Sequence, residues 1–131
     1  MMSFHLSQRS WKQLVDVHPD LVRVIENAIQ KTEVDFTVLE GVRTLIRQRT
    51  LIDSGASTTM NSRHLTGHAV DLGAYVDGRI AWDWPLYHKI AAVMKDVAQV
   101  EGVAITWGGD WTTFPDGPHY QLSWDKYPKG T

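Results

Sequence analysis

Apolar residues recur at helical spacing in some stretches of the chain and alternate with polar ones in others. Over HPDLVRVIENAIQKT, residues 18–32, the positions Leu21, Val24, Ile25, Ala28 and Ile29 fall on one stripe, and Pro19 suits a first helical turn. The run DFTVLEG predicts a strand with Phe36, Val38 and Glu40 on one face. Helical spacing returns over RTLIRQRTLIDSG and stops at Gly55, a C-terminal cap, after which the polar run ASTTMNS reads as a loop. HAVDLGAYVDGRIAW predicts a strand, a tight turn at Asp77-Gly78 and a second strand. DWPLYHKIAAVMKDVAQVEG predicts a helix with Asp83 at its N-cap and Leu86, Ile90, Val93 and Val97 buried, and VAITWGG and HYQLSW supply two more strands. Strands and helices do not alternate strictly, and the hairpin is antiparallel. The expected class is therefore α+β, with helices flanking a mainly antiparallel sheet.

Composition narrows this picture. A chain of 131 residues with 43% hydrophobic content can bury one core, so residues 1–131 are read as a single domain; no repeat, linker or low-complexity tract divides them. With no cysteine there is no disulfide framework and no thiolate ligand, which leaves His, Asp and Glu as the strong metal donors. A formal charge of −2, with both signs interspersed, gives no basic stripe, and nucleic acid is not an expected partner. The opening MMSFHLSQRSWKQL lacks both a charged leader and an apolar run, so synthesis in the cytoplasm without a signal peptide is expected, with no stable membrane association.

Candidate chemistry concentrates in two fragments, SRHLTGHAVDL and DGPHYQL. His64 and His68 have the i, i+4 spacing of a helical metal pair, yet Gly67 and the strand-like residues after it oppose a helix there. The other pairing is His64 with Asp71, which requires a turn at Thr66-Gly67 because a continuous strand would place the two on opposite faces. In the second fragment Pro118 stiffens the approach to the last strand, in which His119 and Gln121 share a face and Tyr120 and Leu122 point the other way. If the fragments meet, His64, Asp71 and His119 form a zinc site of two histidines and one carboxylate with a position left for water, and Asp116 stands beside it as a base.

The pattern S-x-H-x-x-G-x-A-x-D followed by D-x-x-H, together with SFHLSQRSWKQL, DFTVLEGVRT and WGGDW, resembles the zinc peptidases of the D-Ala-D-Ala carboxypeptidase type. Within them it is most similar to the small phage endolysins that act as L-alanyl-D-glutamate endopeptidases. The resemblance implies the Hedgehog/D,D-peptidase-like fold, zinc held by His64, Asp71 and His119, a catalytic carboxylate at Asp116 and a substrate-binding, catalytic arginine at Arg43. Asp rather than Glu at position 116 resembles the endolysin branch. His68 stands where some close relatives have Asp, and the resemblance leaves it either touching the metal or, as a substrate-binding residue, lining the groove. Ser57 and Gln48 are further candidates for substrate contact, and Asp110 for orienting a ligand histidine from behind. Trp107, Trp111 and the loop 56–62 are expected to wall the groove.

The activity so implied is hydrolysis, by a monomer, of the L-alanyl-D-glutamate bond in peptidoglycan stem peptides during host-cell lysis. Such an enzyme would reach the wall after the membrane is permeabilised. A D,D-carboxypeptidase or dipeptidase on the same fold is the enzymatic alternative. The non-enzymatic one is a wall-binding module with structural zinc, which is disfavoured because structural sites usually have four protein ligands.

Overall fold

The computed structural model describes residues 3–57 and 59–131. Its helices are α1 (Gln8–Gln13), α2 (Pro19–Lys31), α3 (Leu45–Asp53) and α4 (Trp84–Glu101), and its strands are β1 (Phe36–Glu40), β2 (Ala69–Val76), β3 (Arg79–Ala81), β4 (Ile105–Trp107) and β5 (His119–Leu122). All strand pairs are antiparallel, in the order β1-β2-β5-β4. β3 and β5 occupy successive lengths of the same edge of β2, because Ala74 faces both Phe36 and Ala81 while Asp71 faces both Glu40 and His119. The α+β class read from the pattern is the one observed.

Local chemistry accounts for each element. His18 caps α2 by accepting from the Asp20 amide, Pro19 fills its first turn, and all five stripe residues are buried. The hairpin turns at Asp77-Gly78 as its sequence predicts, and Gly55 follows α3 in the left-handed conformation. α4 starts after Asp83, whose side chain makes no capping bond, and it buries Tyr87, Ile90, Ala91, Met94, Val97 and Ala98. Leu86 and Val93 are only partly buried beside this face, so the predicted stripe is displaced by about one position. α2 packs on α4, and α4 lies against β2 and β4, which encloses the core between the helices and one face of the sheet.

α1 has no counterpart in the hydropathy pattern. Ser7 caps it, and the fully buried Ser10 accepts through Oγ from the Val38 amide at 3.0 Å, fastening α1 to the outer edge of β1. The strand expectation also needs one correction. A bulge between Val38 and Glu40 rotates Glu40 off the face of Phe36 and Val38, and sets it opposite Asp71 on the other side of the sheet.

Candidate metal centre and cleft

The polar face of the sheet carries the chemistry. Asp71 on β2 faces His119 on β5, and Gln121 lies beyond His119 opposite Thr106 of β4. His64 comes from a short 3₁₀ turn, Arg63–Thr66, that Ser62 caps through its hydroxyl. Gly67 ends that turn at φ +77, and a Cβ there would sit 2.4 Å from the Asp16 carbonyl, so only glycine lets the chain double back toward β2. The turn that the His64–Asp71 pairing requires is therefore present.

Each histidine has one ring nitrogen held by the protein and the other aimed at Asp71. His64 Nδ1 lies 2.8 Å from the Gly41 carbonyl, which can only accept, so Nδ1 carries the hydrogen and Nε2 presents its lone pair 3.3 Å from Asp71 Oδ1. His119 Nε2 donates to Gln121 Oε1 at 2.8 Å, leaving Nδ1 at 3.4 Å from the same Asp71 oxygen. The donor atoms of His64, Asp71 and His119 all lie within 4.8 Å of one another. His64 Nε2 and Asp71 Oδ1 are buried without hydrogen-bond partners, and buried polar atoms in that condition are costly unless a cation satisfies them. The group is fit to hold a metal ion.

Electrostatics agree. Burial alone would raise the Asp71 pKa, but the close approach of His119 and His64 holds it far below the usual carboxylate range. Burial likewise opposes a charge on His119, and Asp71 outweighs it and raises the histidine. A place that depresses an acid and raises a base stabilises positive charge, whether a proton or a metal ion brings it.

The three donors open on a cleft of about 840 Å³ whose lining includes Glu40, Arg43, Arg47, Ser57, Trp111, Phe114, Asp116 and Trp124. Asp116 is brought there by a tight fold over Gly108: its amide donates to the Gly108 carbonyl at 2.9 Å, and a Cβ on Gly108 would come within 2.5 Å of the Asp116 carbonyl. Although Asp116 is exposed, the protein crowding its carboxyl raises the pKa and the charge of Asp71 adds to this, while His119, His64 and Arg43 pull it down. Arg43 is anchored by its amide to the His64 carbonyl at 2.9 Å, and its Nη2 stands 3.6 Å from Asp71 Oδ2.

Other candidates are placed differently. His68 is buried away from the cleft lining, with Nδ1 on the Thr66 hydroxyl and its ring beside His18, so it belongs neither to the donor group nor to the groove. Gln48 is fully buried; it accepts from Arg43 Nη1 at 2.8 Å and donates to the Ser57 hydroxyl and the Thr59 carbonyl, bracing the wall from behind. Asp110 points outward to Lys95 at 2.7 Å and orients no ligand, because Gln121 already holds His119. Trp107 is core, with Nε1 donating to the Gly117 carbonyl, whereas Trp111 does line the cleft. Residue 58 of the expected groove loop lies outside the described residues. Sequence reasoning missed Glu40, Arg47 and Trp124 as lining residues; the signal for Arg47 was its spacing of four from Arg43 in a helical run.

A three-donor group that could hold a metal ion, with a carboxylate lining the same cleft of an antiparallel sheet, is an arrangement of the kind that hydrolases use. The chain belongs to the phage L-alanyl-D-glutamate peptidase family, whose model matches residues 2–123. It is 31% identical over 119 residues to the L-alanyl-D-glutamate peptidase of Escherichia phage T5, covering 88% of this chain and 87% of that one. It is also 31% identical over 133 residues to the L-alanyl-D-glutamate peptidase of Listeria phage A118, where all of this chain spans 46% of the relative. Among solved structures it matches the L-Ala D-Glu endopeptidase ChiX of Serratia marcescens with a TM-score of 0.91 and 45% identity, covering 96% of this chain and 95% of that one.

Proposed function

We propose that this protein is a zinc-dependent peptidoglycan hydrolase that cuts the bond between L-alanine and D-glutamate in stem peptides. The observation that carries the reading is the convergence of His64 Nε2, Asp71 Oδ1 and His119 Nδ1 in the cleft that Asp116 also lines, in a chain of this family. His64, Asp71 and His119 would hold the zinc. When bound, it supplies a Lewis acid that polarises the scissile carbonyl and makes water more acidic. Asp116 takes a proton from the attacking water as the C–O bond forms, and returns it to the departing D-glutamate nitrogen as the C–N bond breaks. Its raised pKa suits a group that must both take and give a proton. Arg43 balances the negative charge that develops on the carbonyl oxygen, and the Ser57 side of the wall bounds the peptide.

In this reading the chain is one monomeric domain that serves in host-cell lysis and acts on the wall once the membrane is permeabilised. No helix of the described residues is long and apolar enough to cross a membrane. The test joins metal analysis to digestion. The purified protein should carry one zinc per chain, lose activity to a chelator and regain it with zinc. His64→Ala, Asp71→Ala and His119→Ala should each strip the metal. Digests should yield peptides with new D-glutamate amino termini and little free D-alanine. Release of free D-alanine with the L-Ala–D-Glu bond whole would replace this reading by a D,D-carboxypeptidase. Zinc bound over intact peptidoglycan would leave a binding module.

A further inference from the structure

Two arginines line the cleft, and their surroundings differ. Arg43 precedes α3 with a side chain only 9% exposed; its Nε donates to Glu40 Oε1, its Nη1 to Gln48 Oε1 at 2.8 Å, and its Nη2 faces Asp71. That guanidinium is held on three sides by groups of the protein. Arg47 lies one turn into α3, where its amide donates to the capping hydroxyl of Thr44 at 3.0 Å, and its side chain is 53% exposed on the cleft. The carboxylate beside it, Glu40 Oε2, stands 3.9 Å away, beyond hydrogen-bonding distance, and among the described residues the Arg47 guanidinium makes no hydrogen bond. Glu40 thus sits between two guanidiniums and is hydrogen-bonded to one.

We infer that Arg47, and not Arg43, is the specificity-determining residue that reads the free carboxylate of the acidic amino acid on the carboxyl side of the scissile bond. The inference rests on the proposed endopeptidase reading, in which that amino acid is D-glutamate, linked onward through its side chain and carrying a free α-carboxylate. Arg43 spends two of its donors on Glu40 and Gln48 and turns its Nη2 toward Asp71, from a side chain only 9% exposed, so little of its fork is presented to an incoming carboxylate. Arg47, paired with Glu40 only at 3.9 Å and donating no side-chain hydrogen bond among the described residues, offers its planar fork to the cleft, the geometry that suits a carboxylate. Arg43 is left as a charge fixed beside Asp71, braced by Gln48, consistent with its place next to the reacting carbonyl.

The test pairs a change in the protein with a change in the substrate. Zinc-loaded wild type, Arg47→Gln and Arg47→Lys are assayed on a soluble L-Ala–D-Glu stem peptide and on its twin in which the α-carboxylate is a carboxamide. On the carboxylate peptide, Arg47→Gln should lower kcat/KM by about 10- to 100-fold, mostly through KM, the scale of one charged hydrogen-bonded pair. Arg47→Lys should recover part of the loss. On the carboxamide peptide wild type and Arg47→Gln should be nearly equal. Because Arg47 is half exposed, the variants should keep the wild-type melting temperature and zinc content. An equal loss on both peptides, or none on the carboxylate peptide, overturns the inference while leaving the endopeptidase reading in place. Failure of the zinc-loaded wild type to cut either peptide removes that reading, and the inference with it.

Discussion

A histidine presents a metal with whichever ring nitrogen the protein has not already engaged. At His64 the engaged atom is Nδ1, on a backbone carbonyl; at His119 it is Nε2, on the Gln121 side chain. The two holds are unequal, since a carbonyl cannot be removed by mutation and an amide can. Gln121→Leu should therefore keep the fold but lower metal affinity by about 10- to 100-fold, the usual scale for losing an outer hydrogen bond, measured by competition with a chelator. Asp116→Asn should keep both fold and metal and lower turnover by about 10²- to 10⁴-fold on the stem peptide. Near-normal hydrolysis would place the base elsewhere. The three donors were marked by the motif pattern of the two fragments, and the turn at Gly67 that the His64–Asp71 pairing needs is present; Asp116, marked by the same pattern, lines the same cleft. Glu40 was misplaced, because strict alternation assigns it to the core face and a single bulge between Val38 and Glu40 reverses that.

At the scale of elements, legibility follows the length of the apolar stripe. α2 announces itself with five buried positions in one register, whereas α1 spans six residues and buries a serine, too short and too polar for a periodicity to emerge. α4 was found, yet its face was centred wrongly because Tyr87, Ala91 and Ala98 count as weak hydrophobes in a pattern and as full members of a packed interface. Tyr87 shows why it faces inward. Its hydroxyl accepts from the Ala74 amide at 3.1 Å and donates to the Ala81 carbonyl at 2.7 Å, so α4 clasps both strands of the β2–β3 hairpin. Tyr87→Phe would leave a buried amide and a carbonyl unpaired, and should cost about 1–3 kcal/mol in urea unfolding. A loss within error would mean that water replaces the hydroxyl.

For the whole molecule, the segment after β5 is tied back across the fold. Arg63 lies over the Trp124 ring at 3.8 Å and donates to the carbonyls of Leu122 and Tyr127, while the Tyr127 hydroxyl donates to Asp20 at 2.6 Å. That last bond is the main reason Asp20 titrates below the usual carboxylate value, and with burial it pushes Tyr127 up to about 12. Because the folded pKa of Asp20 is depressed, its contribution is present above the unfolded value of about 3.9 and is lost as pH falls through the folded one. Tyr127→Phe should thus be less stable than wild type near neutrality, by up to about 1 kcal/mol at this half-exposed site, and the gap should narrow in acid. Urea melts at neutral and acidic pH measure it; a gap that widens in acid would refute the assignment.

The position of β5 bears on how the chain is made. It follows β4 in sequence yet lies between β2 and β4 in the sheet, so during synthesis both neighbours exist before the strand that joins them. Until it emerges, β2 and β4 present unpaired edges, and His64 and Asp71 lack their third donor. The long-range pairing that completes the sheet is then the same event that completes the group able to hold a metal ion, so the core and the candidate site close in one late step. A chain stopped before His119 would lack the third donor and leave those edges open to association.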